Sequence, residues 1–471
     1  MSEPASVVAA ASRRHLGGGA LASTASQVAV LLAGAITSIA IARAIGPSGS
    51  GAFALSANLF AVALLVAGIG IKQGIVVLSG AGRWQPGEAV RDLALPLLGL
   101  GLAGAGLGAL AWALGRDGFL EGLPAGAVPL LLGATPFGLA WQWSWSLALG
   151  RERYEAYAVL QALPTFLALL VAVTLAIALG TTAAVVGFAA AQIVAGCAGV
   201  AWAFRFSSPG RGAPSAGRAD RLRAVFRFGA FSWATELLQF VNFRFDLFFL
   251  AAYAATADVG IYSVAATATG IALILPQSLS VAVMPRTAAL EGAASRGELE
   301  RPELDLSDAR ASRHTLLLLP LSGLLVGLLV VVGIPLLYGS RFDDAVGLGL
   351  ILLPGTLALG LAKVFISVTM GRGRPRYSLY TVLITVPPTV AGYLLVIPDH
   401  GATGAALVST ASYLLSALVS FLWFRHVTGI PARDALIPRA DDLRAYPEVA
   451  ALTVDYLRPL LARLGRRRGR G

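Results

Sequence analysis

Apolar residues in this chain gather into long runs separated by short polar breaks, and the runs define the predicted elements. A helix needs about 20 apolar residues to cross a bilayer. Twelve runs reach that length, over 20–43, 52–79, 90–114, 124–149, 156–179, 182–205, 226–252, 257–284, 314–338, 346–370, 377–398 and 402–425. Gly180 and Thr181 split one nearly continuous pair, and Asp399 and Gly401 split another. Non-helical backbone is not tolerated facing lipid, so the expected fold is an all-α membrane protein of twelve transmembrane helices.

The runs also repeat. GAFALSA at 51–57 matches GIYSVAA at 260–266, and each opens an even-numbered helix. LGRERYEAYAVLQALP at 149–164 matches MGRGRPRYSLYTVLITVP at 370–387, and GTTAAVVG at 180–187 matches GATGAALV at 401–408. Three matches in one order predict two six-helix lobes. An even number of helices per lobe gives both the same orientation, related by a pseudo-two-fold axis along the membrane normal. The predicted organisation is an N-terminal segment (1–19), an N-lobe (20–205), a basic linker (206–225), a C-lobe (226–425) and a basic tail (426–471). The mixed-charge stretch 285–313 reads as a solvated loop or short helix.

Composition agrees, with 56% hydrophobic and 13% charged residues, where soluble domains carry about 25% charge. A net charge of +11 in a soluble chain would point to nucleic acid. Here the arginines sit in short loops, where they set topology, and no nucleic-acid partner is expected. Arg83, Arg91, Arg151, Arg153, the cluster from Arg205 to Arg223, and Arg372, Arg374 and Arg376 fall on one side. Arg116 and Arg341 fall on the other, with Arg43 at its rim. Both termini are therefore expected in the cytoplasm. The first run follows Arg13 and Arg14 and is too long for a cleaved signal core, so it reads as a retained anchor. The tail's arginines, Arg466, Arg467, Arg468 and Arg470, suit anionic lipid. Cys197 is the single cysteine, which excludes an internal disulfide. Neither a phosphate-cradling loop nor a metal-ligand cluster is present in the sequence, and no cofactor is expected.

The candidate chemistry lies in the charges inside the runs. The chain has two lysines, Lys72 and Lys363, against 34 arginines, and both lysines lie in apolar helices. Each is eight residues from the basic end of its helix, about 12 Å deep. A charge there costs about 2.5–3.5 kcal/mol on insertion scales unless it meets a partner, a cavity or a cargo. The two read as the cationic lining of a site for an anion; the competing reading is a snorkelling or locally paired lysine. On the seventh run, Glu236, Gln239, Asn242 and Asp246 form one polar stripe, predicted to line a cavity, with Arg244 off the stripe. Glu236 and Asp246 are candidates for binding a coupling proton or sodium ion; an ion pair between Arg244 and a carboxylate on another helix is the structural alternative. Trp141, Trp143 and Trp145 spread over a wide arc and read as packing residues rather than a sugar platform.

ARAIGPSGSGAFALS at 42–56 resembles the first-loop signature of bacterial polysaccharide flippases: a helix ending in Ala-Arg, a Gly-Pro turn, then Gly-x-Phe/Tyr opening the next helix. RFDLFFLAAYAATADVGIYSVA at 244–265 resembles its second-lobe counterpart, and MGRGRPRYSLY and GATGAALV resemble the later helices. The family is the O-antigen and polysaccharide flippase branch of the multidrug/oligosaccharidyl-lipid/polysaccharide exporter superfamily. The resemblance implies a multi-pass protein of the bacterial inner membrane. Its cargo would be a polyprenyl-diphosphate-linked oligosaccharide for a cell-surface glycan such as lipopolysaccharide or exopolysaccharide, moved by alternating access with ion coupling. It implies that Lys72, Arg244 and Lys363 hold the diphosphate or an acidic sugar, and that Glu236 and Asp246 couple the ion. Membrane lipid and a polysaccharide polymerase are the expected partners, and both lobes in one chain suit a monomer. A multidrug or small-solute antiporter on the same fold is the alternative. The short outer loops argue against an enzyme acting on the glycan.

Overall fold

The computed structural model describes residues 4–80, 86–206, 217–439 and 441–442. Arg83, the middle of the expected linker and Arg466, Arg467, Arg468 and Arg470 lie outside them. The described residues are helical almost throughout, with no strand. Traced through local breaks, they make twelve passes, which we number α1–α12. Helix Pro4–Gly68 is broken at Gly46 into α1 (4–45) and α2, which resumes as Ile71–Gly80. Then come α3 (Pro86–Gly115), α4 (128–150), α5 (Tyr154–Leu179), α6 (Thr181–Arg205) and α7 (Arg218–Tyr253). The second half holds α8 (Thr256–Ser295), α9 (Arg301–Tyr338), α10 (Asp344–Gly371), and Arg376–Thr428, broken at Gly401 into α11 and α12. A short α13 (Ala432–Leu436) follows.

Four turns at one end of the bundle rest on glycines at positive φ: Gly46 at 69°, Gly180 at 84°, Gly339 at 92° and Gly401 at 52°. Glycine alone enters this region without strain, so each lets one helix end and the next begin almost at once. Pro47, just after Gly46, has the φ that a helix start requires. Apart from Arg116, the arginines of the other loops belong to the opposite end, called here the basic end.

The helices pack as two bundles, α1–α6 and α7–α12. One buried cluster crosses between the bundles, joining Leu55 and Leu59 of α2 to Tyr262 of α8, Val330 of α9 and Leu352 of α10, and a second joins α2, α3, α4 and α6 around Ile75, Leu93 and Trp143. The bundles meet chiefly where α1 and α2 cross α8 and where α2 crosses α7. The tryptophan run packs internally. Trp141 donates to the Leu160 carbonyl at 2.6 Å, and Trp145 meets Trp141 and Tyr157 edge to face.

The stretch 285–313 is not mainly loop. α8 continues to Ser295 and α9 begins at Arg301, so both project beyond the apolar runs. Hydropathy ends at the membrane boundary, whereas the helical hydrogen-bond ladder continues wherever charges find partners. Arg372, at the end of α10, donates to Asp308 at 2.8 Å and Asp305 at 2.6 Å, and Thr287 donates to Asp308 at 2.8 Å. One knot thus joins α8, α9 and α10.

After α12 the chain folds back under the second bundle. Ile430 and Ala435 pack with Phe365, Val368 and Phe424. Arg313, 2% exposed, donates to both oxygens of Asp442 at 2.6 and 2.9 Å and to the Asp434 carbonyl at 2.6 Å. Arg313→Leu strands the Asp442 carboxylate and loses about 3–5 kcal/mol of docking, read as faster amide exchange over Ala432–Leu436. The Arg313 hydrogen bond holds the Asp442 carboxyl below its ordinary range. A group with a depressed folded-state pKa stabilises above its unfolded value. Docking therefore holds at neutral pH and weakens only as pH falls below about 4; exchange measured against pH checks the sign.

Candidate functional site

The seam between the bundles is built on backbone proximity. α2 breaks at Ile69 (φ 34°) and Gly70 (φ 70°). Positive φ at a β-branched residue is strained, and such strain gathers at functional positions. The break presses Gly70 against Gly229 of α7 so closely that a Cβ on either would strike the other's carbonyl. Val225 likewise fills the space beside Gly74.

That contact brings polar side chains of the two bundles together. Lys72 Nζ lies 2.7 Å from Glu236 Oε2, with both side chains about 30% exposed (28% and 31%). Gln73 donates to the other Glu236 oxygen at 2.5 Å, and Trp233 of α7 donates to the Leu65 carbonyl of α2 at 2.8 Å. Beside the pair lies a cavity of about 200 Å³ lined by Gly68, Lys72, Gln142, Trp233, Glu236 and Phe240. Nearer the basic end, Arg221 pairs with the buried Asp92 at 2.7 Å.

Toward the glycine-turn end the seam is also shut. Gly51 of α2 and Gly260 of α8 abut, each without room for a Cβ. Arg43 donates to the carbonyls of Leu336 and Leu337 at 2.7 and 2.6 Å, and the Tyr338 hydroxyl reaches Ser38 at 3.3 Å. Between the two closures a second cavity of about 280 Å³ opens among α1, α2, α5, α6, α7 and α8, with Arg244 on its wall. Arg244 is exposed and makes no hydrogen bond or ion pair among the described residues.

The expected polar stripe on α7 is divided. Glu236 faces the first bundle through Lys72. Asn242 and Asp246 instead turn into the second bundle and are 1% and 4% exposed. Asp246 accepts from the Tyr262 hydroxyl at 2.6 Å and from the Leu247 amide at 2.8 Å. Tyr262 and Tyr393 both meet Ser409, at 3.1 and 2.9 Å. Asn242 accepts from Ser412 at 3.0 Å. Neither Gln239 nor Asn242 lines the two cavities described. The reason is helical pitch: an arc of about 120° is wide enough to serve two neighbours. The alternative of an Arg244–carboxylate ion pair has no counterpart among the described residues.

Lys363 is half-buried on α10, with no hydrogen bond or ion pair among the described residues. The repeat matches Gly371 with Gly150, which sets Lys363 opposite Gln142, a residue lining the Lys72 cavity. The two lysines are therefore not repeat partners; each belongs to a different helix of its bundle. Sequence reasoning missed Gln73, Gln142 and Trp233. These are ordinary residues in apolar runs, and only the crossing of α2 and α7 makes them neighbours.

The comparisons with known proteins follow this geometry. A family model described as polysaccharide biosynthesis protein matches residues 127–346. This span contains the motif at 244–265, and the match bears out the resemblance read from the sequence. Compared by sequence with curated proteins, the chain has no significant match. Among solved structures it resembles an inward-facing multidrug resistance MATE family transporter of the MOP superfamily (TM-score 0.65, 16% identity, covering 86% of this chain and 98% of that one). It also resembles the lipid II flippase MurJ in an inward closed conformation (TM-score 0.64, 13% identity, 88% of both chains). A third is a point mutant of the Vibrio cholerae MATE transporter VcmN (TM-score 0.58, 17% identity, 89% of this chain and 98% of that one). The fold is that of these membrane transporters.

The Lys72–Glu236 pair is the readiest test of the seam. In a Lys72→Met and Glu236→Gln double-mutant cycle, denaturation of the purified protein should give a coupling of about 1 kcal/mol. Additive single losses would mean that the pair does not hold the bundles.

Proposed function

We propose that this chain is a flippase that moves a polyprenyl-diphosphate-linked oligosaccharide across the cytoplasmic membrane for export of a cell-surface polysaccharide. The observation that carries the reading is the charge balance along the seam. Lys72 and Arg244 line its two cavities, against Glu236 as the one carboxylate lining them. Glu236 balances Lys72 in the first cavity, so the net positive charge lies on the Arg244 wall; a positive wall attracts an anion, and a multidrug pore for cations needs the opposite sign. The match to a polysaccharide biosynthesis family supports the choice of cargo.

The mechanism reads as alternating access. The arginine-rich loops assign the basic end to the cytoplasm. The inner closure is then Gly70–Gly229 with Lys72–Glu236, and the outer one is Gly51–Gly260 with Arg43. An arriving diphosphate competes with Glu236 for Lys72. A released Glu236 is then free to take a proton or sodium ion, which couples cargo entry to the ion gradient. Arg244 and Lys363, unpaired among the described residues, are the next cationic ligands. Asp246, buried with Tyr262, is the second coupling carboxylate.

The test is accumulation of lipid-linked oligosaccharide in cells lacking the protein, complemented with wild type, Lys72→Ala, Lys363→Ala or Arg244→Ala. Losing a hydrogen bond to a charged group costs about 1.5–3 kcal/mol, so each variant, expressed at wild-type level, should clear the precursor at least about tenfold more slowly. Precursor levels that never change on deletion would sink the glycan reading and leave small-solute antiport in its place.

A further inference from the structure

The Arg244 cavity has features that a phosphate ligand alone does not require. Its wall carries neutral groups with unused hydrogen-bonding capacity. Gln192 is 7% exposed and makes no hydrogen bond among the described residues. Asn58 spends its amide on the Ala54 carbonyl at 2.8 Å, which leaves its Oδ1 free to accept. The Ser50 hydroxyl is buried without a partner. Ser263 and Thr267 donate within α8, so their oxygens can still accept. An unsatisfied buried hydroxyl such as that of Ser50 costs about 1–3 kcal/mol, and with the spare amide and acceptors beside it points to something that pairs with this wall.

The remaining surface is aromatic. Phe53 and Phe188 line the same cavity, edge to face with centroids 5.8 Å apart. Beside them, α5 passes from Pro164 into a π-helical turn over Ala168–Ala172. Such turns gather at functional sites because they widen the helix locally. The volume of about 280 Å³ lies at the foot of the range for small-molecule sites, about 300–1,000 Å³. It suits one ring rather than an oligosaccharide or a lipid chain. Arg244 is the one charged residue on the wall.

We infer that this cavity is a saccharide subsite, taking the sugar ring attached directly to the diphosphate while Arg244 holds the adjoining phosphate. The inference rests on the flippase reading and deepens it. Mixed donors and acceptors suit a ring of hydroxyls, and an apolar aromatic wall suits its C–H face. A single guanidinium beside them fixes which ring enters. The subsite makes the protein selective for the first sugar of its cargo and tolerant of the rest of the glycan, which stays outside a cavity this small.

Two probes decide it by calorimetric titration of the purified protein: a short-chain prenyl diphosphate bearing one hexose, and the same prenyl diphosphate without sugar. Wild type should bind the hexose probe at least about tenfold more tightly, a gap of about 1.4 kcal/mol. Asn58→Leu/Gln192→Leu should erase that gap and leave binding of the sugar-free probe within twofold, which also reports that the variant is folded. Arg244→Ala should weaken both probes. If the double variant loses both, Ser50→Ala decides, with a selective loss of about threefold on the hexose probe expected. Equal binding of both probes by wild type, or variants that lose neither, overturns the subsite and leaves the flippase reading standing. Failure of wild type to bind either probe counts against the flippase reading itself, and the subsite falls with it.

Discussion

Two glycine contacts, Gly51–Gly260 and Gly70–Gly229, set the distance between the bundles, and the geometry of the seam depends on them. In lipid the bundles have no hydrophobic effect to hold them together, so association rests on close packing and on polar contacts between helices. Glycines let the backbones touch at two levels. Between those levels the seam has room for cavities. At the lower one, Lys72 and Glu236 sit close enough to neutralise each other.

The charges fall into two kinds. At the basic end three arginines are held by carboxylates: Arg313 by Asp442, Arg372 by Asp305 and Asp308, and Arg221 by Asp92. They tie helix ends and the chain after α12 to their own bundle or close the seam near its mouth. The charges inside the apolar helices differ. Lys72 reaches Glu236 from the opposite bundle, while Arg244 and Lys363 have no protein partner among the described residues. A cross-seam pair is broken when the bundles part, whereas a pair inside one bundle survives. This difference separates scaffold from moving parts without reference to any ligand.

The two halves of the chain share a pattern and use it differently. α8 repeats the opening of α2, and the two abut through the repeated glycines Gly51 and Gly260. Lys363 and Gln142 occupy matching places, one charged and one neutral. The polar network around Asp246, Tyr262 and Ser409 is confined to the second bundle. The cavity lined by amides and hydroxyls lies instead between the bundles, with Arg244 on one side and α2 on the other.

Hydropathy by itself determined the twelve passes and their turns. A bilayer admits few backbone arrangements, and glycine at 46, 180, 339 and 401 is legible as a turn signal. It also flagged Lys72, Lys363, Glu236, Arg244 and Asp246, because a charge in an apolar run stands out against its neighbours. It did not reveal that the stripe on α7 divides between two bundles, since a helical wheel has no information about which helices surround it. Nor did it reveal the helical projections around 285–313, which are tied by Arg372, 64 and 67 residues from its two partners, Asp308 and Asp305. Gln73, Gln142, Asn58 and Gln192 are unremarkable in sequence. Only the tertiary structure decided their neighbours, because a polar side chain acquires a role from the cavity that packing leaves beside it.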